Sequence, residues 1–344
     1  MEQREPEATA RAAGRFLLSI VVPVFDEQDI IETAHRHFVA TLGMDREFDL
    51  EIVYVDDGSR DRTPLLLAAI AAEDPRVCIV SFSRNFGQEA AVTAGLRHCA
   101  GDAAAVMDAD LQDPPEVVLQ MLEKWREGYA VVYGIRHHRQ ESAFRRLLYS
   151  AFYRILSALS DVPIPLDSGD FCVMDRRVID ALNALPEKRR FVRALRAWYG
   201  GRQYGFAYDR HARAAGRSKY SLRRYFHLAV DGIFSFSAAP LRLLALAGLM
   251  LSLFSLAGVL FVLLQWMSGL QLLGYAPAEA PGFTILILSL FLMSGVQLLS
   301  IGILGGYLGR IYLESTGRPA YIAETLRPSV YRRPAGQRTA APSP

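Results

Sequence analysis

The chain has 344 residues, of which 51% are hydrophobic, and its mean hydropathy is +0.14. That mean is too apolar for an ordinary soluble enzyme of this size, and the aliphatic content excludes disorder for most of the chain. A net charge of +2, from 38 Lys and Arg against 36 Asp and Glu, excludes a nucleic-acid-binding protein that works by bulk electrostatics.

Residues 1–15 mix acidic and basic side chains and are expected to be disordered. The apolar stretch 16–25 that follows has the length of a signal-peptide core. However, Asp26 and Glu27 come directly after it, without a small-residue cleavage pattern. We therefore interpret residues 16–25 as a buried β-strand.

From residue 16 to about residue 136, short β-rich apolar runs alternate with segments of helical length. This alternation predicts an α/β fold with a doubly wound, mostly parallel sheet. The chain has no GxGxxG or GxxxxGK[ST] motif, which disfavours a nicotinamide cofactor or a P-loop. The predicted strands are 18–24, 50–55, 77–82, 103–107 and 130–133.

Three of these strands end in polar clusters, PVFDEQ, VDDGS and MDADLQDPP, and ligands of such sheets bind at the carboxyl ends of strands. Asp108 and Asp110 leave a strand and precede Gln112, so their oxygens can converge on Mg²⁺ or Mn²⁺. An Asp-x-Asp triplet alone is common in turns. Its position after a strand, matched by Asp56 and Asp57 after another, favours a site for a metal and a nucleotide.

Two basic amphipathic helices are predicted, over residues 142–159 and 221–236. The second runs directly into an apolar segment, which favours an interfacial membrane helix over residues 221–240. The first equally fits a helix that covers the core of the polar domain, which we place at residues 16–220.

Residues 243–266 and 283–308 contain no Asp, Glu, Lys or Arg, and each run exceeds the thickness of the bilayer core. They predict a two-helix transmembrane hairpin within residues 241–310. Residues 267–282 between them lack Lys and Arg, whereas Arg residues flank both outer ends, so the polar domain and both termini are expected in the cytoplasm. Residues 311–344 are expected to form a cytoplasmic tail, with a disordered composition from Pro328 onward.

Six motifs occur in the order SIVVPVFDEQ, VDDGSRDRT, NFGQEAAVTAGL, DADLQDPPE, DSGDF and RAAGRSKY, followed by the two apolar runs. This pattern, over roughly residues 17–325, resembles the family 2 inverting glycosyltransferases of the GT-A fold. The resemblance is strongest to polyprenyl-phosphate glycosyltransferases such as the bactoprenol glucosyltransferases, and dolichol-phosphate mannose synthases are more distant. It implies a Rossmann-like GT-A domain.

The resemblance also implies roles for residues near the strand ends. The nucleoside pocket would be lined by Pro23, Phe25, Glu27, Asp57 and Asp108. Pro23 and Phe25 suit turn and core packing equally well.

A divalent metal, Mg²⁺ or Mn²⁺, would be held by Asp108, Asp110 and Gln112. The catalytic carboxylate would come from the DSGD segment, where Asp170 is favoured over Asp167.

In the RAAGRSKY segment, Arg213, Ser218 and Lys219 would bind the donor diphosphate or the acceptor phosphate. The chain has only three lysines, so Lys219 is an unusual choice, although a solvated loop is the alternative. Arg193 would either add positive charge or lie on an exposed helical face. Relatives often have Arg where this chain has Cys172, which disfavours phosphate binding at that position.

The implied reaction transfers glucose or a related hexose from a nucleoside-diphosphate sugar, with UDP favoured over GDP, to undecaprenyl phosphate. It would take place at the bacterial inner membrane and serve cell-envelope glycan modification. The alternatives are a processive polysaccharide synthase, whose QxxRW motif and additional spans are absent, and a non-catalytic membrane scaffold that binds nucleotide sugars. Overlapping GxxxG patterns at residues 302–309 allow either packing within the hairpin or a homo-oligomer. The three cysteines form no CxxC pair and indicate a reducing compartment.

Overall fold

The computed structural model describes residues 15–44, 47–136, 168–187, 190–210, 246, 248, 250, 253 and 282–331. The chain divides into two units. The first comprises Met1–Arg154, Val162–Ser221 and Arg318–Pro344, and the second comprises Ile155–Asp161 and Leu222–Gly317.

The first unit is built on an eight-stranded sheet with the order β7-β5-β6-β4-β1-β2-β3-β8. The strands are β1 Phe16–Val24, β2 Phe48–Asp56, β3 Val77–Phe82, β4 Ala103–Val106, β5 Val131–Arg136, β6 Ser168–Asp175, β7 Gln203–Tyr208 and β8 Ala323–Arg327. The neighbours β4, β1, β2 and β3 are parallel, whereas β6 is antiparallel to both β4 and β5. The five predicted strands are confirmed, and the sheet is more mixed than predicted.

The central strands are continuous apolar runs because helices cover both faces of the sheet. In β1, Leu18, Ile20, Val21 and Val22 are fully buried, and the interior of β2 is equally inaccessible. The helices of this unit are α1 Ile31–Leu42, α2 Thr63–Glu73, α3 Gln88–His98, α4 Pro115–Arg126, α5 Arg176–Ala184 and α6 Val192–Tyr199. The three cysteines are buried and form no disulfide.

The second unit contains helix α7, Gly282–Ser315, which covers the second predicted span. Among the residues that the structure describes, no helix combines the length and the hydropathy needed to cross a bilayer. Both predicted amphipathic helices lie outside the described residues. So does the first predicted span, apart from residues 246, 248, 250 and 253.

After α7 the chain contributes strand β8 to the sheet, a strand that the sequence does not predict. Strand β8 pairs antiparallel with β3, and Ser329 is buried and donates a hydrogen bond to Glu51 at 2.5 Å. The β8 sequence, AETLR, is polar and exposed, as is usual for an edge strand, so it has no hydrophobic alternation that would reveal it. Its backbone pairs with the otherwise open edge of β3, and composition alone does not predict such pairing.

Candidate active site

Two loops at the carboxyl edge of the sheet are joined by backbone-to-side-chain hydrogen bonds. We call two segments the hydrogen-bonded loops. They are residues 25–28, which follow β1, and residues 56–63, which run from the last residue of β2 to the first residue of α2. The Asp26 N–H donates to Ser59 Oγ at 3.0 Å, and the Arg60 N–H donates to Asp26 Oδ1 at 2.8 Å. The Glu27 N–H donates to Thr63 Oγ1 at 2.9 Å. These bonds give the two loops one fixed relative position.

Asp57 extends this fixed arrangement to the loop after β3. Its Oδ1 accepts the Phe86 N–H at 2.6 Å, and its Oδ2 accepts the Gly87 N–H at 2.9 Å. Burial raises the pKa of Asp57, while these two N–H donors oppose the shift. Gly58, at φ +70°, lies so close to Arg84 that a Cβ atom would come within 2.4 Å of its carbonyl carbon. Only glycine fits this contact between the loops.

The three residues predicted after β1 lie beside these loops. Pro23 belongs to β1, opposite Val55, and is half-buried. Phe25 and Glu27 are also half-buried, and the Glu27 carbonyl accepts the N–H groups of residues 30 and 31 at the start of α1. Each of them therefore has a structural contact and also lies at the edge where a ligand of this sheet would bind.

Four carboxylates form a second feature, which we call the acidic cluster: Asp108, Asp110, Asp113 and Asp170. Burial and, to a smaller extent, the charges of the other three carboxylates raise the pKa of Asp108 to about 7. Arg210, whose Nη2 lies 3.9 Å from Asp108 Oδ2, opposes this rise. The four carboxylates of the cluster therefore outnumber the two cations beside them, Arg210 and Arg193.

The loop that carries three of these carboxylates is tightly turned. Leu111 has a positive φ of 55°, and the Gln112 N–H donates to Asp110 Oδ1 at 3.1 Å. Asp113 is buried and accepts hydrogen bonds from the Tyr208 hydroxyl at 2.5 Å and from Arg210 Nε at 3.2 Å. Asp113 therefore anchors the loop to β7, while Asp110 stabilises the turn.

The donor chemistry of Asp108, Asp110 and Gln112 fits a hard divalent cation. Carboxylate and amide oxygens suit Mg²⁺ and Mn²⁺, which use few protein ligands when substrate phosphates and water complete the coordination. In the described part of the chain, no group of three His, Cys, Asp or Glu side chains has the geometry of a metal site.

Asp170 lies in β6 and is held by α6. Arg193 donates to Asp170 Oδ1 from Nη2 at 2.9 Å and from Nε at 3.3 Å. Of the two interpretations of Arg193, the structure supports added positive charge at the site. Cys172 is buried and takes no part in the exposed edge. Four predicted site residues lie outside the described residues: Asp167, Arg213, Ser218 and Lys219.

Sequence reasoning missed the roles of two residues at the start of α3. Gln88 Nε2 donates to Asp108 Oδ1 at 3.2 Å, and Glu89 Oε2 accepts the Val192 N–H at 2.9 Å. Together with the Phe86 and Gly87 amides, residues 86–89 connect the neighbourhoods of three predicted site residues. The signal that could have found them is the motif NFGQE itself, whose last two residues are polar and directly follow a glycine at the start of a helix.

Comparisons with known proteins support the resemblance inferred from the motifs. The family model for glycosyl transferase family 2 matches residues 19–182. The chain is 42% identical to the uncharacterized glycosyltransferase YkcC of Bacillus subtilis, over 89% of this chain and 93% of that protein. It is 38% identical to the bactoprenol glucosyl transferase of Shigella phage SfV, over 89% of this chain and 97% of that protein.

A solved structure of the mannosyltransferase PcManGT from Pyrobaculum calidifontis, in complex with GDP-Man and Mn²⁺, matches 90% of this chain and 92% of its own. The two are 17% identical, and the TM-score is 0.47. The identities to YkcC and to the phage enzyme, each over nearly the whole length, establish the assignment. The chain belongs to glycosyl transferase family 2 and is a glycosyltransferase.

Proposed function

We propose that this glycosyltransferase moves a hexose, glucose or a close relative, from a nucleoside-diphosphate sugar to a polyprenyl phosphate. The observation that carries the proposal is the 38% identity, over 89% of the chain, to a protein named bactoprenol glucosyl transferase. UDP is the favoured nucleotide, and undecaprenyl phosphate is the favoured lipid. The arrangement of the carboxyl edge supports the proposal, because its fixed loops and its excess of negative charge lie side by side.

The hydrogen-bonded loops and Asp57 form the nucleoside side of the site in this proposal, together with Pro23, Phe25 and Glu27. Asp108, Asp110 and Gln112 are the residues that would hold a divalent cation, Mg²⁺ or Mn²⁺. Such a cation, when bound, offsets the charge of the leaving diphosphate. Gln88 keeps the Asp108 carboxylate oriented by donating to Oδ1.

The acceptor in this proposal is a phosphate monoester, whose second pKa of about 6 leaves it largely dianionic at neutral pH. It needs no strong general base, and the main difficulty is the approach of two anions. Arg213, Ser218 and Lys219 supply donors for those phosphates. Asp170, held by Arg193, orients the acceptor or stabilises positive charge at the anomeric carbon. Direct displacement then inverts the anomeric configuration.

The lipid acceptor places the reaction at a membrane, and we propose the cytoplasmic face of the bacterial inner membrane. The support is the pair of charge-free runs at 243–266 and 283–308, with Arg residues at their outer ends. Helix α7 also presents a row of exposed large apolar side chains, which is typical of a surface with an apolar partner. They include Leu286, Leu290, Leu298, Ile301, Leu304 and Leu308.

The test uses membranes that contain the protein, a panel of radiolabelled nucleotide sugars, undecaprenyl phosphate and Mn²⁺ or Mg²⁺. We expect label from a UDP-hexose to enter the organic phase, and we expect unphosphorylated polyprenol to be a very poor acceptor. Membranes with Asp110→Asn serve as the control for background enzymes. Label in a water-soluble polymer would instead identify a polysaccharide synthase, and binding without transfer would identify a scaffold.

A further inference from the structure

Glu89 lies in the first turn of α3, beside a small cavity that Asp170, Val192, Arg193 and Arg196 also line. Burial and, to a smaller extent, the charge of Asp170 raise the pKa of Glu89 to about 8, while Arg193 and Arg196 oppose the shift. This rise favours the protonated, neutral form of the carboxyl group. A neutral carboxyl group still accepts hydrogen bonds through its carbonyl oxygen.

The contact that Glu89 makes is with the beginning of another helix. The first N–H groups of a helix have no partner inside the helix, and the residue before α6, Phe191, makes no side-chain capping bond. The Val192 N–H, at the first position of α6, donates to Glu89 Oε2 at 2.9 Å. Glu89 thus caps α6 from a segment 103 residues away in the chain.

The helix that Glu89 caps carries the two cations that contact residues 169 and 170. Arg193, directly after Val192, donates to Asp170 Oδ1 at 2.9 Å. Arg196, one turn later and only 2% exposed, donates to the carbonyl oxygen of Gly169 at 3.1 Å. A shift of the first turn of α6 therefore displaces both of the contacts that this helix makes with residues 169 and 170.

We propose that Glu89 is a positioning residue for Asp170, acting through the first turn of α6 as the hydrogen-bond acceptor of the Val192 N–H. This inference rests on the proposed function in one respect: the proposed function defines the reaction that Asp170 serves. When position 89 has no hydrogen-bond acceptor, the first turn of α6 is no longer held in one position. A displacement of about 1 Å at a reacting group costs roughly 100-fold in rate, which sets the size of the expected effect.

The first test compares Glu89→Gln with Glu89→Ala. Gln keeps an oxygen acceptor without a charge, so we expect transfer close to that of the unmodified protein. Ala removes the acceptor, so we expect kcat to fall roughly 100-fold, with little change in the KM for the donor. Glu32→Ala, which removes an exposed first-turn carboxylate from α1, is the matched control and should leave both constants unchanged. A Gln variant as inactive as the Ala variant would overturn the acceptor role.

A second test separates positioning from general damage to the fold. If Glu89 acts through Asp170, then Glu89→Ala should cause no further loss of rate in an Asp170→Asn background. A full 100-fold loss in that background would show that Glu89 acts independently of Asp170 and would overturn the proposal.

A third measurement does not depend on the substrate at all. Hydrogen exchange of the Val192–Tyr199 helix should be faster in Glu89→Ala and unchanged in Glu89→Gln. Equal exchange in all three proteins would overturn the proposal even if transfer to polyprenyl phosphate is observed. Faster exchange in the Ala variant alone would support it even if the unmodified protein transfers sugar to a different acceptor, so the two proposals fail separately.

Discussion

The hydrogen-bonded loops and the acidic cluster lie at the same edge of the sheet, but their carboxylates are satisfied in different ways. In the loops, carboxylates such as Asp26 and Asp57 accept backbone N–H groups from neighbouring loops. In the cluster, Asp108 lies among the charges of Asp110, Asp113 and Asp170. The comparison indicates that the loop carboxylates stabilise the shape of the site, whereas the cluster retains charge for a ligand.

Asp113 shows that position in the cluster alone does not determine the role. Its Oδ1 accepts hydrogen bonds from Tyr208 and Arg210 and its side chain is buried, so its contacts resemble those of the loop carboxylates. Asp108 keeps a side chain that is 34% exposed. The exposed fraction of the side chain therefore distinguishes Asp108 from Asp113, which is only 2% exposed.

The largest effect is expected for Asp110→Asn. Asn keeps the Oδ1 atom that accepts the Gln112 N–H, so the turn should remain, while the charge at the proposed cation is lost. We expect sugar transfer to fall roughly 100-fold to 1000-fold, the usual size of a lost electrostatic contribution, with an unchanged melting temperature. Transfer rates across Mg²⁺ and Mn²⁺ concentrations check this. Near-normal rates with the ordinary metal dependence would remove Asp110 from the site.

A smaller loss is expected for Asp170→Asn. The amide oxygen can still accept from Arg193, so the side chain should stay in place without its charge. We expect kcat to fall roughly 10-fold to 100-fold and the KM for the donor to change little, because Asp170 is proposed to serve the acceptor or the anomeric centre. Steady-state kinetics with both substrates varied measure this split. A rise in donor KM alone would assign Asp170 to the nucleotide side.

Asp57→Asn should affect the free energy of unfolding more than the rate of sugar transfer. Both Asp57 oxygens accept N–H groups. The NH₂ group of an Asn side chain would therefore place a donor against one of these two backbone donors. We expect a loss of about 1–3 kcal/mol in the free energy of unfolding and a raised KM for the donor. Asp56→Asn is the matched control, since Asn keeps the Oδ1 that accepts the Ser59 N–H. An unchanged melting temperature for Asp57→Asn would contradict the structural role.

The smallest effect on activity is expected at Asp74, which lies in neither region. Burial alone would raise the pKa of Asp74, but hydrogen bonds and charge from Arg76 lower it below its usual value. A lowered pKa contributes stability above the unfolded pKa of about 3.9, and this stability is lost as the pH falls through the folded pKa. Asp74→Asn should therefore cost about 1.5–3 kcal/mol at pH 7, less as the pH falls toward 3, and leave transfer unchanged. Melting temperatures across this pH range test the trend, and a constant difference would contradict it.

Much of the sheet edge could be predicted because local patterns determine it. Apolar strands followed by acidic residues, as at Asp57 and Asp108, identify the carboxyl ends directly from the sequence. The order of six motifs then identified the family, which the comparisons confirm.

The remaining features depend on contacts between distant segments. Strand β8 is polar and pairs only because β3 offers an open edge, and β6 reverses direction between β4 and β5. Glu89 and Val192 are far apart in the chain, so no local pattern could predict their hydrogen bond. These contacts explain why the sequence did not predict how Asp170 is held.

The most direct test of the contrast between the loops and the acidic cluster is a titration of Mn²⁺ binding as UDP is added. Electron paramagnetic resonance measures the bound Mn²⁺. We predict that the unmodified protein takes up Mn²⁺ with UDP and that Asp108→Asn binds it at least roughly tenfold more weakly at an unchanged melting temperature. Asp57→Asn should still bind Mn²⁺ but require more UDP. If Asp108→Asn bound Mn²⁺ and UDP as tightly as the unmodified protein, the proposed role of the acidic cluster would be wrong.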